Sequence, residues 1–175
     1  ALARFVGAGT PSQDGSRRLA TVLFTDIVDG TARAADIGDH AWRALLADHH
    51  RLVREALTQY RGVEVDTAGD GFFATFDGPA RAVRCARTIA SAVDGLGIRI
   101  RAGVHTGEVE AMDGKVGGIA VIIGARLSSL AGPNEILVSE TVRDLVAGSG
   151  LSFDDAGERE LKGVPGRRRV YRLSD

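Results

Sequence analysis

Cysteine is almost missing: Cys85 stands alone among 175 residues, so no internal disulfide can form. Its place on an apolar helix face reads as core packing in a reducing compartment. No apolar run approaches the roughly 18 residues of a membrane span, and no signal-peptide pattern is present. A cytoplasmic setting is therefore expected, with no membrane contact within this sequence and any tether supplied from upstream. Positive charge is not in excess either. Lys and Arg number 22 against 23 Asp and Glu, a formal net charge of −1, which leaves no bulk footprint for a nucleic-acid strand. No Cys and His stand at ligand spacing, which argues against zinc. His49, His50 and His105 read as packing residues, and no internal repeat is visible.

What is present is an ordinary globular composition, 44% hydrophobic and 26% charged, in one domain's length of chain. Residues 1–18 end in "GAGTPSQDGSRR" and read as a linker from a larger protein, leaving 19–175 as the folded domain. "LATVLFTDIV" (19–28) is a nearly continuous apolar run, as in a strand buried on both faces. Two helical stretches follow, then a hairpin over 63–76, a helix opened by Pro79, and the long strand "IRIRAGVHTGEVEA". The glycines of "VGGIAVIIGARLSSLA" open another helix; "EILVS", "ETVRDLVAG" and a terminal strand pair close the chain. This order predicts an α+β fold with helices on one side of a mostly antiparallel sheet.

Two carboxylates fall at strand ends. Asp26 closes the first apolar strand, and Asp70 sits in the Ala68-Gly69-Asp70-Gly71 turn of the hairpin. If those strands are neighbours, both acids meet at one sheet edge. Two hard carboxylates with a strand-end carbonyl suit Mg2+ or Mn2+, which keep waters and take phosphate oxygens as further ligands. The plainer alternatives are that Asp26 caps the next helix and that Asp70-Gly71 is a common hairpin turn.

The segments "FTDIVDGT", "AGDGFFATF", "RAGVHTGEV", "GGIAVIIGARL" and "ELKGVPG" occur in that order. Together they resemble the catalytic domain of the class III nucleotidyl cyclases, the adenylate and guanylate cyclase family, most like its bacterial multidomain members. The resemblance covers about residues 19–173. It implies a palm-like, ferredoxin-like βαββαβ core with additional helices and C-terminal strands, working as a head-to-tail homodimer with sites at the interface. By the same resemblance, Asp26, Asp70 and the Ile27 carbonyl hold two metal ions per site, and Arg101 contacts the nucleotide phosphates. From the partner subunit, Arg126 stabilises charge on the α-phosphate and Lys162 reaches the terminal phosphates. The implied reaction is conversion of ATP to 3',5'-cyclic AMP and pyrophosphate.

Three positions depart from the family pattern. Ile122 stands where an asparagine usually orients the ribose, so slow turnover is expected. Asp66 stands where adenylate cyclases carry a base-reading lysine, and Lys115 where they carry the partner aspartate. The pair is exchanged. An aspartate facing N1–H and a lysine facing O6 complement guanine, which makes GTP the alternative substrate. ATP keeps first place, because many bacterial relatives make cyclic AMP despite departures at these positions.

Ile122 and the exchanged pair also admit a catalytically weak or dead module that dimerises or senses nucleotide. Intact Asp26, Asp70, Arg126 and Lys162 argue against it. A diguanylate cyclase or polymerase palm is disfavoured by the lack of a GGDEF-type hairpin. A purely structural α+β domain would bind no metal-nucleotide.

Overall fold

The computed structural model describes residues 16–174. Residues 1–15, most of the expected linker, lie outside the described residues, while Arg17 and Arg18 already belong to the first strand. The elements are β1 (Arg17–Ile27), α1 (Gly30–Ile37), α2 (Asp39–Gln59), β2 (Val63–Ala68), β3 (Gly71–Phe76), α3 (Pro79–Asp94) and β4 (Ile100–Met112). They continue as β5 (Lys115–Gly117), α4 (Ile119–Leu130), β6 (Ile136–Ser139), α5 (Glu140–Leu145), β7 (Phe153–Glu160) and β8 (Arg167–Leu173). This is the expected α+β order with β5 added. The strands form one sheet in the order β2-β3-β1-β4-β6-β8-β7, with β5 paired to β4. All pairings are antiparallel except β4 with β6.

β1 is central because its side chains are apolar on both faces. Leu23 and Ile27 enter a core with Val53 of α2, Val83 and Ile89 of α3, and Val142 of α5. Val22, one residue along and therefore on the opposite face, packs with Phe73, Val109, Ala120 and Val121. One helix thus departs from the single helical layer suggested by the sequence: α4 covers the face opposite α2 and α3. The approach is close. A Cβ on Gly103 of β4 would lie 2.5 Å from the Gly124 carbonyl, so only glycine lets α4 lie this near the strand.

Two tight turns set the register around the site. Ala68 pairs with Gly71, so Gly69 and Asp70 are the central residues of the β2–β3 turn. Gly69 supplies the positive φ of 60° at the first central position, as a type II′ hairpin turn requires. This is the expected Ala68-Gly69-Asp70-Gly71 turn, with Gly69-Asp70 rather than Asp70-Gly71 at its centre. In the β4–β5 hairpin, Asp113 and Gly114 take φ values of 52° and 77° between the paired Met112 and Lys115. Positive φ at both central residues marks a type I′ turn, and it fixes Lys115 at the head of β5.

Candidate active site

β1 lies between β3 and β4, which brings three functional candidates to one sheet edge. Asp26 is directly opposite Arg101 on β4, and Thr25, its neighbour, is opposite Phe72 on β3. The hairpin tip carrying Asp70 therefore stands beside the end of β1. Burial together with the nearby Asp26 charge raises the Asp70 pKa above the ordinary carboxylate value, and the backbone of Ile27 opposes that rise only in part. Arg101 Nε donates to Asp26 Oδ1 at 2.6 Å, and its Nη1 reaches the Ser129 carbonyl at 3.4 Å. Asp26 caps no helix: the α1 N-cap is Asp29, which makes no side-chain capping bond.

Gly30 keeps room for this arrangement. A Cβ at that position would run into Asp70 Oδ2 and lie 3.5 Å from the Trp42 ring. The donor set consists of hard oxygens, with Ile27 restricted to its backbone because its side chain is buried. Two such acids, one raising the pKa of the other and one already holding a cationic guanidinium, are a site short of positive charge. A divalent ion fits it, with water and phosphate completing the ligand shell. No group of three or more His, Cys, Asp or Glu forms an all-protein cage among the described residues.

Three of the remaining candidates form a second cluster. Arg126 and Ile122 are one turn apart on α4. Arg126 Nε donates to the Lys162 carbonyl at 3.0 Å, and a Cβ on Gly163 would meet Ile122 Cγ2 at 4.0 Å. Ile122, Arg126 and Lys162 are therefore brought together, with the Lys162 side chain left in solvent.

Asp66 lines a pocket of about 300 Å3 together with Phe24, Phe73, Asp26, Ala125 and Ser128. Phe24 and Phe73 of this lining are stacked, with ring centroids 4.4 Å apart. Asp66 accepts the Thr67 backbone N–H. Lys115 is exposed and makes no ion pair with Asp66. The exchanged pair has not closed on itself.

The histidines and Cys85 mostly follow expectation. Cys85 is buried, and burial pushes its thiol up to about 12. His105 is buried against Ser139 Oγ at 2.6 Å. His49 is wholly buried, with neither ring nitrogen hydrogen-bonded. His50 does more than pack, because its Nε2 reaches the Gly69 carbonyl. The helical periodicity of α2 carried no signal for that contact.

The family model of the adenylate and guanylate cyclase catalytic domain matches residues 14–175. The chain belongs to this family. A "pH-sensitive adenylate cyclase" of Mycobacterium tuberculosis (strain CDC 1551 / Oshkosh) is 28% identical, the match covering 95% of this chain and 43% of the relative. The crystal structure of an adenylate/guanylate cyclase/hydrolase from Silicibacter pomeroyi superposes with a TM-score of 0.81 at 28% identity, over 91% of this chain and 98% of that one. The adenylyl cyclase CyaB from P. aeruginosa gives a TM-score of 0.82 over 91% of this chain and 95% of that one; at 22% identity it is a likeness of fold. The chain spans 18%, 27% and 55% of the lengths of three curated relatives it matches. No described helix is long and apolar enough to cross a membrane.

Proposed function

We propose that this domain converts ATP to 3',5'-cyclic AMP and pyrophosphate, as a head-to-tail homodimer. The observation that carries the reading is the meeting of Asp26 and Asp70 at the end of β1, with a cation already drawn to one of them. Two Mg2+ or Mn2+ ions held there would activate the ribose 3'-hydroxyl and neutralise the leaving pyrophosphate. Asp26 and Asp70 hold that charge, and Ile27 contributes only its peptide group. The 3'-oxygen bonds to the α-phosphorus, the bond to the bridging oxygen breaks, and the hydroxyl proton passes to water.

Arg101 turns from Asp26 to the phosphates when the acids are otherwise neutralised. The partner subunit's Arg126 stabilises charge on the α-phosphate, and the partner subunit's Lys162 holds the terminal phosphates. The two-cluster layout of a single chain supports this division, since Arg126 is held by the Lys162 loop while Arg101 is held by Asp26. The relative named as an adenylate cyclase supports ATP.

A second reading, GTP to cyclic GMP, rests on Asp66 lining a pocket with Phe24 and Phe73 while Lys115 makes no ion pair among the described residues. Cyclic nucleotide formation with Mn2+ and ATP or GTP side by side separates the two, with Asp70→Ala as the control. Cyclic AMP lost in Asp70→Ala supports the first reading, and cyclic GMP lost in that variant supports the second. No product from either nucleotide rules out catalysis.

A further inference from the structure

Asp70 lies beyond the last ladder pair of its hairpin, Ala68 with Gly71, so no sheet hydrogen bond fixes it. The residue before it, Gly69, is the most permissive residue in the chain's repertoire and sits at φ 60° with open space around its Cα. An acid on such a tip would sample many directions unless something held the peptide leading into it.

His50 of α2 touches that peptide. Its Nε2 lies 2.9 Å from the Gly69 carbonyl oxygen. A carbonyl can only accept, so Nε2 carries the proton. The Gly69 carbonyl and the Asp70 nitrogen belong to one planar unit, and pinning the oxygen fixes the plane from which the Asp70 Cα–Cβ bond leaves. The ring is itself held. It stands edge-on to Phe72 at 5.1 Å and 82°, and Phe72 is wholly buried two residues past Asp70. His49 packs on the same Phe72 ring at 5.8 Å, and the Arg54 guanidinium lies 5.5 Å from its centroid. α2 therefore grips the start of β3 firmly enough to serve as an anchor. On the other side, the Ile27 backbone lies near enough to favour the charged Asp70 carboxylate.

We infer that His50 is a positioning residue for Asp70: its Nε2–H fixes the Gly69–Asp70 peptide so that the carboxylate is presented beside Asp26. This rests on the proposed role of Asp70 as a metal ligand. His50 touches neither nucleotide nor metal, so its effect is on metal binding and turnover through Asp70.

The test uses the full 175-residue chain and Mn2+ as the probe, with free Mn2+ followed by electron paramagnetic resonance, with and without ATP. His50→Phe keeps a ring against Phe72 and removes the donor. It is expected to weaken Mn2+ binding and slow turnover about threefold to tenfold, the range one hydrogen bond commands. His50→Gln, whose amide nitrogen can reach the same carbonyl, is expected to restore both to within about twofold. A merely structural histidine would not be rescued by this one atom. Hydrogen exchange should show faster opening at Asp70 and Gly71 in His50→Phe, with β4 amides unchanged. Where phenylalanine is not accommodated, His50→Ala asks the same question. The inference is overturned if His50→Phe binds Mn2+ as tightly as the parent, or if His50→Gln is as impaired as His50→Phe. Parent protein that binds Mn2+ no better than Asp70→Ala would instead remove the role assigned to Asp70, which separates the two failures.

Discussion

Arg101 and Asp26 are paired across two antiparallel strands, guanidinium Nε to carboxylate Oδ1 at 2.6 Å, at the position where a divalent cation is proposed to bind. The relationship follows from register. Once β1 and β4 align, the acid ending one strand faces the arginine opening the other. On the proposed function, the arginine would neutralise Asp26 when no metal is bound and turn toward phosphate when one is.

Removing that competitor should make Asp26 easier to occupy. Arg101→Ala is expected to bind Mn2+ more tightly, by up to about fivefold, since a partly exposed ion pair is worth at most ~1 kcal/mol. The same variant should turn over more slowly, because a phosphate contact is lost. Calorimetric titration with Mn2+ and a separate rate measurement check the two halves. Weaker Mn2+ binding in Arg101→Ala would show that the arginine organises the acids rather than competing for them.

Gly30→Ala is expected to abolish most activity while leaving the fold intact. Its new methyl group would occupy the place of Asp70 Oδ2, and the flexible carboxylate is what gives way. Circular dichroism should match the parent, whereas Mn2+-dependent turnover should fall by about two orders of magnitude, the cost of misplacing a reacting group. Parent-like turnover would show that Asp70 works from another rotamer.

Ile122→Asn is expected to raise turnover, by up to about a hundredfold if it restores a lost donor to the ribose. Ile122 is only partly buried, against a cluster that includes Leu161 and Val164, and shares a helix face with Arg126, so a smaller polar side chain enters without a clash. Unchanged or lower turnover would mean that another residue or a water orients the sugar.

Acid sensitivity should come from two buried histidines. Burial, with His50 adding to it, lowers the His49 pKa to about 4; burial, with Arg168 adding to it, lowers that of His105 to about 4. Both rings are neutral in the fold and take up protons more readily when unfolded, near pH 6.5. Their contribution to stability is therefore present above about 6.5 and is lost as pH falls toward 4. Melting temperature should drop across that window, and His49→Leu should flatten the fall by about one proton's worth of slope. An unchanged acid limb in His49→Leu would place the sensitivity elsewhere.

The sequence made some of this site legible and hid the rest for physical reasons. Asp26 and Asp70 stood out because an acid ending an apolar strand and an acid in a glycine-rich turn both contradict simple packing. β1 was visible because it is apolar on both faces, but α4 is apolar nearly all round, and such a pattern does not say which side of the sheet it covers. The short β5 was hidden among glycines until the Asp113-Gly114 turn fixed its register. The Arg101–Asp26 pair depends on strand register across 75 positions, and the His50–Gly69 contact on how α2 docks over the hairpin. Neither leaves a local signature. Arg126 was placed by its motif, but its bond to the Lys162 carbonyl became visible only with the chain folded.

The central claim is that one chain carries two complementary half-sites, and mixing variants tests it most directly. Asp26→Ala and Arg126→Ala, each inactive alone, are combined and cyclic nucleotide formation is measured. Heterodimers then hold one intact site out of two, so the mixture should recover about a quarter of parental activity at equal amounts of each. No recovery, with heterodimers shown to form, would contradict the composite head-to-tail site.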